Sequence, residues 1–462
     1  MRIVMFVFND CRTDTRVRRE AASLADAGHD VTIMARPSNP TARVGDRELV
    51  GSVEIVRVPA PHAWRFFWTW LRYPWRMRRW WVDRVNRGLH RPPLGWLEVV
   101  ALAGASLVTL PWIAIRLPFF ARARRRPGAF GGSTLDWVVL WRFVVLGWAN
   151  RAAAAAPKAD AYHGHDLTGL QAAGRASRSH GGALVYDSHE IFLESGPNAT
   201  RPRILKRILA RNEQRWAHMA AALVTVNRSL ATELGRRLHP ARTVVVHNAP
   251  ERWNPPVSQP DLIRAATGIP SDEPIALYHG GFSADRGLEK LAAAVLQPGL
   301  ERVHAVYLGY GSQRSMLDAM AADSRFGGRL HILDAVPPDE LPSWVASADV
   351  GVMAIQPSTL NHRMSTPNKL FECLAAGLPV VASDFPEMRE IIMADPAGPL
   401  GIVCRPDDPA EIARSIASVV ERPSEERNAL RARCLEAAHA RWNWESEVMG
   451  LLHLYTDLEK RL

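Results

Sequence analysis

Apolar residues in this chain gather in short continuous runs that end in polar or glycine-containing loops, with longer mixed segments between them. The first run is IVMFVF, followed by a stretch from about Asp14 to Ala27 that reads as a helix. Thr13 or Asp14 can cap its free N–H groups, Gly28 supplies a left-handed exit, and HDVTIMA reads as the next strand. ADAYHGHD, GGALVYDSHE, AALVTVN and RTVVVHNAP continue the pattern. Unbroken apolar runs of this length suit parallel strands buried on both faces, which present chemistry at their C-terminal ends. After the proline-rich stretch ERWNPPVSQP (251–260), strands restart at PIALYHGG, VHAVYLGYG, LHILDAV, DVGVMAI, GLPVVAS and GIVCRP, with helices between them. The pattern predicts an α/β protein of two Rossmann-like domains facing across a cleft. The boundaries fall at 1–250 and 251–442, with a last helix in 443–462. Beyond this doubling there is no internal sequence repeat.

One segment breaks the alternation. Between Pro61 and Arg126 stand thirteen arginines, no lysine and two acids, Asp83 and Glu98, so this stretch carries the chain's whole formal excess of +10. Eight of the sixteen tryptophans lie there, and Trp137, Trp141 and Trp148 follow. Val99 to Ile115 is uncharged but interrupted by Pro111, and it falls short of the roughly 20 residues of a comfortable membrane span. The strands on either side belong to one sheet, so a single crossing is excluded. An insert at about 61–150 is therefore expected to lie in the membrane interface, with Trp at headgroup level and Arg on anionic lipid. A re-entrant hairpin with WVVLWRFVVLGW (137–148) as second arm, and a Trp-rich lid packed on the domain, are the other forms weighed. Arginines alternating with large apolar runs argue against nucleic acid as the partner.

The remaining composition narrows the setting. Cys11, Cys373, Cys404 and Cys434 lie far apart with no metal-ligand spacing, which suits a reduced cytosolic protein. MRIVMFVF is too short for the apolar region of a signal peptide and reads as a strand.

Candidate chemistry concentrates in the second half. HGGFSADRGLEKL (279–291) places Gly280 and Gly281 after a strand and Gly287 at the start of a helix, with Arg286 beside it, an arrangement suited to an anion. LNHRMSTPNKLFECLAAGLPVVASDFPEMREII (360–392) runs from a polar loop into a helix that carries Glu372 in its first turns. An early-helix carboxylate alone serves the helix dipole as readily as a ligand.

Taken together, these segments resemble the GT-B glycosyltransferases, specifically the retaining family four. The resemblance implies that Gly280 to Gly287 cradle the donor diphosphate with Arg286 as the cation, and that Glu372 binds the nucleotide ribose. Two departures from the family pattern stand out. Met364 occupies the place of the first Glu of its Glu-x7-Glu motif, so gripping the donor is expected to fall to Asn361, His362 and loop N–H groups, with Asn368 and Lys369 beside them. Gly281 stands where the family often has Arg.

In the first domain, YHGHDLTG (162–169) matches the family's histidine loop. His165 is expected to face the donor sugar, with His163 as neighbour and Asp166 available to orient a ring. His189 and Glu190 of DSHE reach the same rim, and Asp14 and Arg16 are acceptor-side candidates, although capped helix residues commonly bear such charges without further function.

The chain contains no Asp-x-Asp pair, which agrees with the resemblance to a fold that replaces the metal by helix dipole and basic side chains, so that no metal or other cofactor is expected. The resemblance implies a metal-independent, retaining transfer from a nucleotide-diphosphate sugar, UDP-sugar ahead of GDP-sugar, and the insert adds the expectation of a lipid-linked or cell-envelope glycan acceptor at the cytoplasmic membrane face. Another GT-B enzyme such as a sugar-nucleotide epimerase, and a catalytically silent sugar-nucleotide-binding membrane scaffold, are the rival readings.

Overall fold

The computed structural model describes residues 1–38, 46–61, 138, 140–199, 201–256, 258 and 260–461. The interfacial expectation for 61–126 therefore falls almost wholly outside the described residues.

The first domain is an eight-stranded sheet in the order β3-β4-β2-β1-β5-β6-β7-β8. Its strands are β1 (Arg2–Val7), β2 (Asp30–Ala35), β3 (Asp46–Val50), β4 (Val53–Arg57), β5 (Ala161–His165), β6 (Ala183–Ser188), β7 (Ala222–Thr225) and β8 (Thr243–Val245). All neighbours pair in parallel except β3 and β4, an antiparallel hairpin at the edge that the hydrophobic pattern did not announce. Residues of β3 are largely exposed, and an edge strand of charged residues carries little apolar signal. Ile3 to Phe6 are fully buried, as a central parallel strand covered by helices on both faces requires. The helix Thr15–Asp26 starts at Asp14, whose Oδ1 accepts from Val17 N at 3.2 Å, and Gly28 at φ +91° turns the chain into β2.

The second domain carries a parallel six-stranded sheet in the order β11-β10-β9-β12-β13-β14. The strands are β9 (Ile275–Gly281), β10 (His304–Tyr310), β11 (Leu330–Leu333), β12 (Val350–Met353), β13 (Val380–Ser383) and β14 (Gly401–Cys404). Each matches one of the six apolar runs.

The apolar run at 137–148 is structural over its described part, which goes against the re-entrant hairpin, the alternative form in which it would be the second arm. Leu140–Val145 forms a π-helical turn leading into the helix Leu146–Ala155. Val144, Val145, Trp148 and Ala149 enter the first-domain core, with Trp148 edge-on to Phe8 at 5.2 Å. The first domain thus resumes by 140 rather than near 150. At Gly147 an added Cβ would lie 2.8 Å from Pro61 Cγ, so the chain leaves and re-enters the domain side by side. Among the described residues no helix is long and apolar enough to cross a membrane.

The last two helices, Trp444–Glu447 and Met449–Glu459, pack on the first domain. Trp444, Leu451, Leu454 and Leu458 join Ile3, Met5, Val17 and Leu24 in one core. The Trp444 indole donates to Ser23 Oγ at 3.0 Å, and the Met1 amino group meets Glu459 Oε1 at 3.3 Å.

Candidate functional site in the interdomain cleft

On the second-domain wall, the next-to-last residue of β9 is Gly280, whose φ of +101° lies in the region that favours glycine. Gly287 has φ +73° and begins the helix Leu288–Val295; an added Cβ there would stand 2.0 Å from Ala354 O. Only glycine lets this loop close on β12. Arg286, one residue earlier, is partly exposed, and Gly281 is exposed.

Lys369 comes over this loop from the helix Asn368–Ala375. A Cβ at Gly280 would lie 3.7 Å from its Nζ, and Nζ stands 3.6 Å from the Tyr278 ring centroid, a cation–π contact. Burial, followed by the nearby charge of Arg286, pushes the Lys369 pKa down to about 7. Glu372, nearly one turn further, places Oε2 2.8 Å from His279 Nε2. Burial would raise its pKa, but the His279 hydrogen bond and the charges of His279 and Lys369 hold it below the ordinary value. Two cations and one tethered carboxylate thus surround a glycine loop at a helix N-terminus, an arrangement complementary to an anion that also offers hydroxyls.

The loop expected to replace the first Glu does something else. Asn361 is buried, and its amide accepts from Ile191 N at 2.8 Å and donates to Ile191 O at 3.1 Å. With both ends of the amide spent on the first domain's backbone, the structure gives Asn361 a bridging role in place of a donor contact. Met364 packs on the first-domain core, and its carbonyl accepts from Asn227 Nδ2 at 2.7 Å, with Thr366 Oγ1 receiving the same amide at 2.9 Å. His362 pairs Nδ1 with Ser358 Oγ at 2.9 Å; burial and Arg286 lower its pKa.

On the first-domain wall, Arg16 is also not where a rim residue would stand. It is buried, with Nε 3.2 Å from Asp187 Oδ2 and 2.9 Å from Glu20 Oε1, and it donates to Val246 O at 2.7 Å. Its sequence position on a capped helix suggests exposure, yet that helix turns Arg16 inward. The Glu20 contact lacks hydrogen-bond geometry, and burial together with Asp187 raises the Glu20 pKa to about 7. Asp187 is drawn well below the ordinary range: burial opposes its charge, but Arg16 and His189 outweigh that.

His165 is only 1% exposed, behind the wall rather than on it. Its Nδ1 stands 3.3 Å from Asp187 Oδ2 and 3.4 Å from His189 Nε2. His163 stacks on it at 4.5 Å and pairs Nδ1 with the Tyr455 hydroxyl at 3.0 Å. His189, 22% exposed, is the histidine that reaches the cleft. Burial works against its charge, but Asp166 and Asp187 push its pKa up to about 10, so His189 is an imidazolium at neutral pH. Glu20, His163, His165 and Asp187 offer ligand atoms within 4.8 Å of one another. The Arg16 guanidinium already supplies the cation between their two carboxylates.

The two walls enclose a cavity of about 430 Å³ bordered by Asn9, Asp14, His189, Thr366 and Asn368. Asp14 reaches this rim, but its Oδ2 accepts from Asn9 Nδ2 at 2.8 Å while Oδ1 caps the helix. A larger cavity of about 610 Å³ lies between Ile33, Val53 and Ile55 of the first domain and Leu341, Asn368 and Glu372 of the second. Sequence reasoning missed Asp187, Glu20, Asn227 and Tyr455. Asp187 sat within the DSHE strand end already singled out; the other three carried no signal beyond a helix face, a strand end and a terminal helix.

Residues 273–422 match the family model described as glycosyl transferases group 1, and residues 13–120 match that of the glycosyl transferase 4-like domain. A curated relative, 2-deoxystreptamine glucosyltransferase from Streptomyces kanamyceticus, is 26% identical over 267 residues, which is 56% of this chain and 64% of that protein's length, under two thirds. Among solved structures, sucrose-phosphate synthase from Thermosynechococcus elongatus superposes with a TM-score of 0.69 at 17% identity, covering 100% of both chains. HepE of Anabaena, solved in complex with UDP-glucose, gives 0.60 at 13% identity, again over 100% of both chains. The α,α-trehalose 6-phosphate synthase of Burkholderia multivorans gives 0.63 at 15% identity, over 99% of this chain and 96% of that one. The two facing sheets are the GT-B fold.

Proposed function

From the premise that this chain carries a glycosyl transferases group 1 domain and a glycosyl transferase 4-like domain in a GT-B fold, we propose that it moves a sugar from a UDP-sugar to a lipid-linked or cell-envelope glycan acceptor. The transfer retains anomeric configuration, needs no metal, and takes place at the cytoplasmic membrane face. The observation that carries the donor side is the Lys369 amine over Gly280, beside Arg286 and within a turn of Glu372. UDP complexes of HepE support the choice of base.

In this reading Glu372 accepts the ribose hydroxyls, held in place by His279. Arg286 and Lys369 face the diphosphate. As the bond from the anomeric carbon to the β-phosphate oxygen breaks, negative charge builds on the leaving phosphate, and fixed cations stabilise it more than they stabilise bound donor. The acceptor hydroxyl attacks from the same face and loses its proton to the leaving phosphate oxygen. His189, the charged member of the first-domain wall, faces the sugar, and His165 holds its ring from behind. Met364 in the place of an acid favours the silent sugar-nucleotide-binding scaffold as the second reading.

Thermal stabilisation by a panel of UDP-, GDP- and dTDP-sugars identifies the donor, since saturation at 100 times Kd adds about 2.7 kcal/mol. With that donor, Arg286→Ala is expected to lower kcat by roughly 10²–10³-fold. Unchanged turnover in Arg286→Ala removes the phosphate role of this loop, and donor binding without any turnover in the unaltered chain establishes the scaffold.

A further inference from the structure

The helix Arg203–Met219 connects β6 to β7 on the flank of the first domain. Leu209, Glu213, Trp216 and Ala217 form its buried face. Its opposite face runs through Ile204, Arg207, Ile208, Arg211 and Arg215, steps of three and four residues that keep them on one side of a helix. Ile204 is 71% exposed and Ile208 57% exposed, large apolar side chains held in water one turn apart. The helix's own acid, Glu213, points inward to the Tyr186 hydroxyl at 2.7 Å, so the outward stripe is wholly cationic and apolar. Arg178 of the neighbouring helix stacks over Trp216 at 5.0 Å and extends the positive field.

The helix also borders the place where the Trp- and Arg-rich segment joins the domain. Lys206 meets Glu194 at 3.0 Å, and Phe192 of the same short turn packs on Trp141 at 5.8 Å, close to where the chain re-enters beside Pro61.

We propose that the Ile204–Arg215 stripe is a docking face for an anionic lipid surface, the isoleucines entering among the acyl chains and the arginines meeting lipid phosphates. Two aliphatic side chains a turn apart reach a depth that flanking guanidinium groups at headgroup level match, and the absence of an outward carboxylate removes the repulsion that an anionic surface would impose. A protein partner with a matching acidic groove is the weaker fit, because all five stripe residues are long or branched side chains projecting from a convex helix. This inference adds a folded element to the membrane side of the proposed function and leaves the donor chemistry untouched.

The test places a polarity-sensitive fluorophore at Ile208→Cys in the full chain. The four native cysteines are buried, so the label goes to the new thiol, and exposed Ser271→Cys on the second domain is the control. Phosphatidylcholine vesicles with and without phosphatidylglycerol serve as probes. The expected result is a blue shift and quenching by brominated lipid at position 208 with the anionic vesicles alone, none at 271, and at least tenfold weaker vesicle binding in Arg207→Glu/Arg211→Glu. A chain that floats with anionic vesicles while the probe at 208 stays in water overturns the proposal and leaves membrane binding to other segments. A shift that grows with protein concentration without vesicles overturns it in favour of a second copy. Sugar transfer to a soluble acceptor is unaffected in every variant, so failure here is distinct from failure of the transferase reading.

Discussion

On the second-domain wall of the cleft, Lys369 and Arg286 flank Gly280 with one carboxylate, Glu372, already tied to His279. On the first-domain wall, Arg16, Glu20, Asp187, His163, His165 and Tyr455 are sealed below the surface around the Arg16–Asp187 ion pair, with both Glu20 oxygens and Nε2 of His163 and His165 left without hydrogen-bond partners, and only His189 emerges. The first arrangement holds positive charge in reserve. Burial first, and then the neighbouring charge of Arg286, bring the Lys369 pKa down to about 7. The second holds almost none, because Asp187 and Glu20 sit against Arg16 and the histidines. A wall that repels its own charges binds an anionic ligand well, whereas a wall that is internally neutralised positions a single group rigidly. The contrast suits a cleft in which one side takes the charged leaving group and the other only orients.

The largest effect should come from breaking the sealed wall. Asp187→Asn leaves Arg16 buried beside one poorly aligned carboxylate, and removing one partner of a buried ion pair costs about 3–5 kcal/mol. Urea denaturation measures this, and a loss below about 1 kcal/mol would show that Arg16 is solvated after all. The same variant should lower the His189 pKa, because Asp187, together with Asp166, holds it up at about 10; the imidazole chemical shift as a function of pH reads that directly.

The second effect sharpens the contrast through pH. Free Lys369 is depressed to about 7 from the ordinary 10.5, so burial favours its neutral form above about pH 7, and its contribution to stability falls as the pH drops through that value. A bound diphosphate restores the charge, so UDP binding takes up a proton above pH 7. UDP affinity should therefore fall by up to about tenfold per pH unit from 7 towards 9. Calorimetry in buffers of unlike ionisation enthalpy measures the proton count, and Lys369→Met should abolish the dependence. Affinity flat across this range would separate Lys369 from the phosphates.

The smallest effect lies at Tyr455→Phe. Losing its hydrogen bond to His163 Nδ1 in a buried stack should cost about 0.5–1.5 kcal/mol of stability. Transfer should fall modestly while UDP affinity stays unchanged, because the stack backs the orienting wall alone. Equal losses in both would mean that the terminal helix governs the whole cleft.

How much of this was legible in the sequence depends on where each partner lies along the chain. Gly280, Arg286 and Gly287 stand within eight residues of one another, and Lys369 and Glu372 share one helix. Spacing along one strand, loop and helix therefore declares the second-domain wall, since φ above zero and an open helix N-terminus are local properties. The strand runs were legible for a similar reason: a strand buried on both faces must be apolar throughout. The hairpin of β3 and β4 was not, because an exposed edge places no such demand.

The first-domain wall had no local signature. Arg16 and Glu20 read as an i, i+4 pair on a solvated helix; Asp187 lies 171 residues from Arg16, and Tyr455 lies 292 residues from His163. Tertiary structure alone decided that these groups meet in the dark. Packing likewise turned Asn361 from a ligand candidate into a bridge to Ile191, and the described part of the apolar run before Ala149 from a candidate hairpin arm into core. Sequence by itself determined which residues could be polar contacts or apolar surface. Burial decided which of them became so, because desolvation belongs to the assembled neighbours of a side chain and not to the side chain.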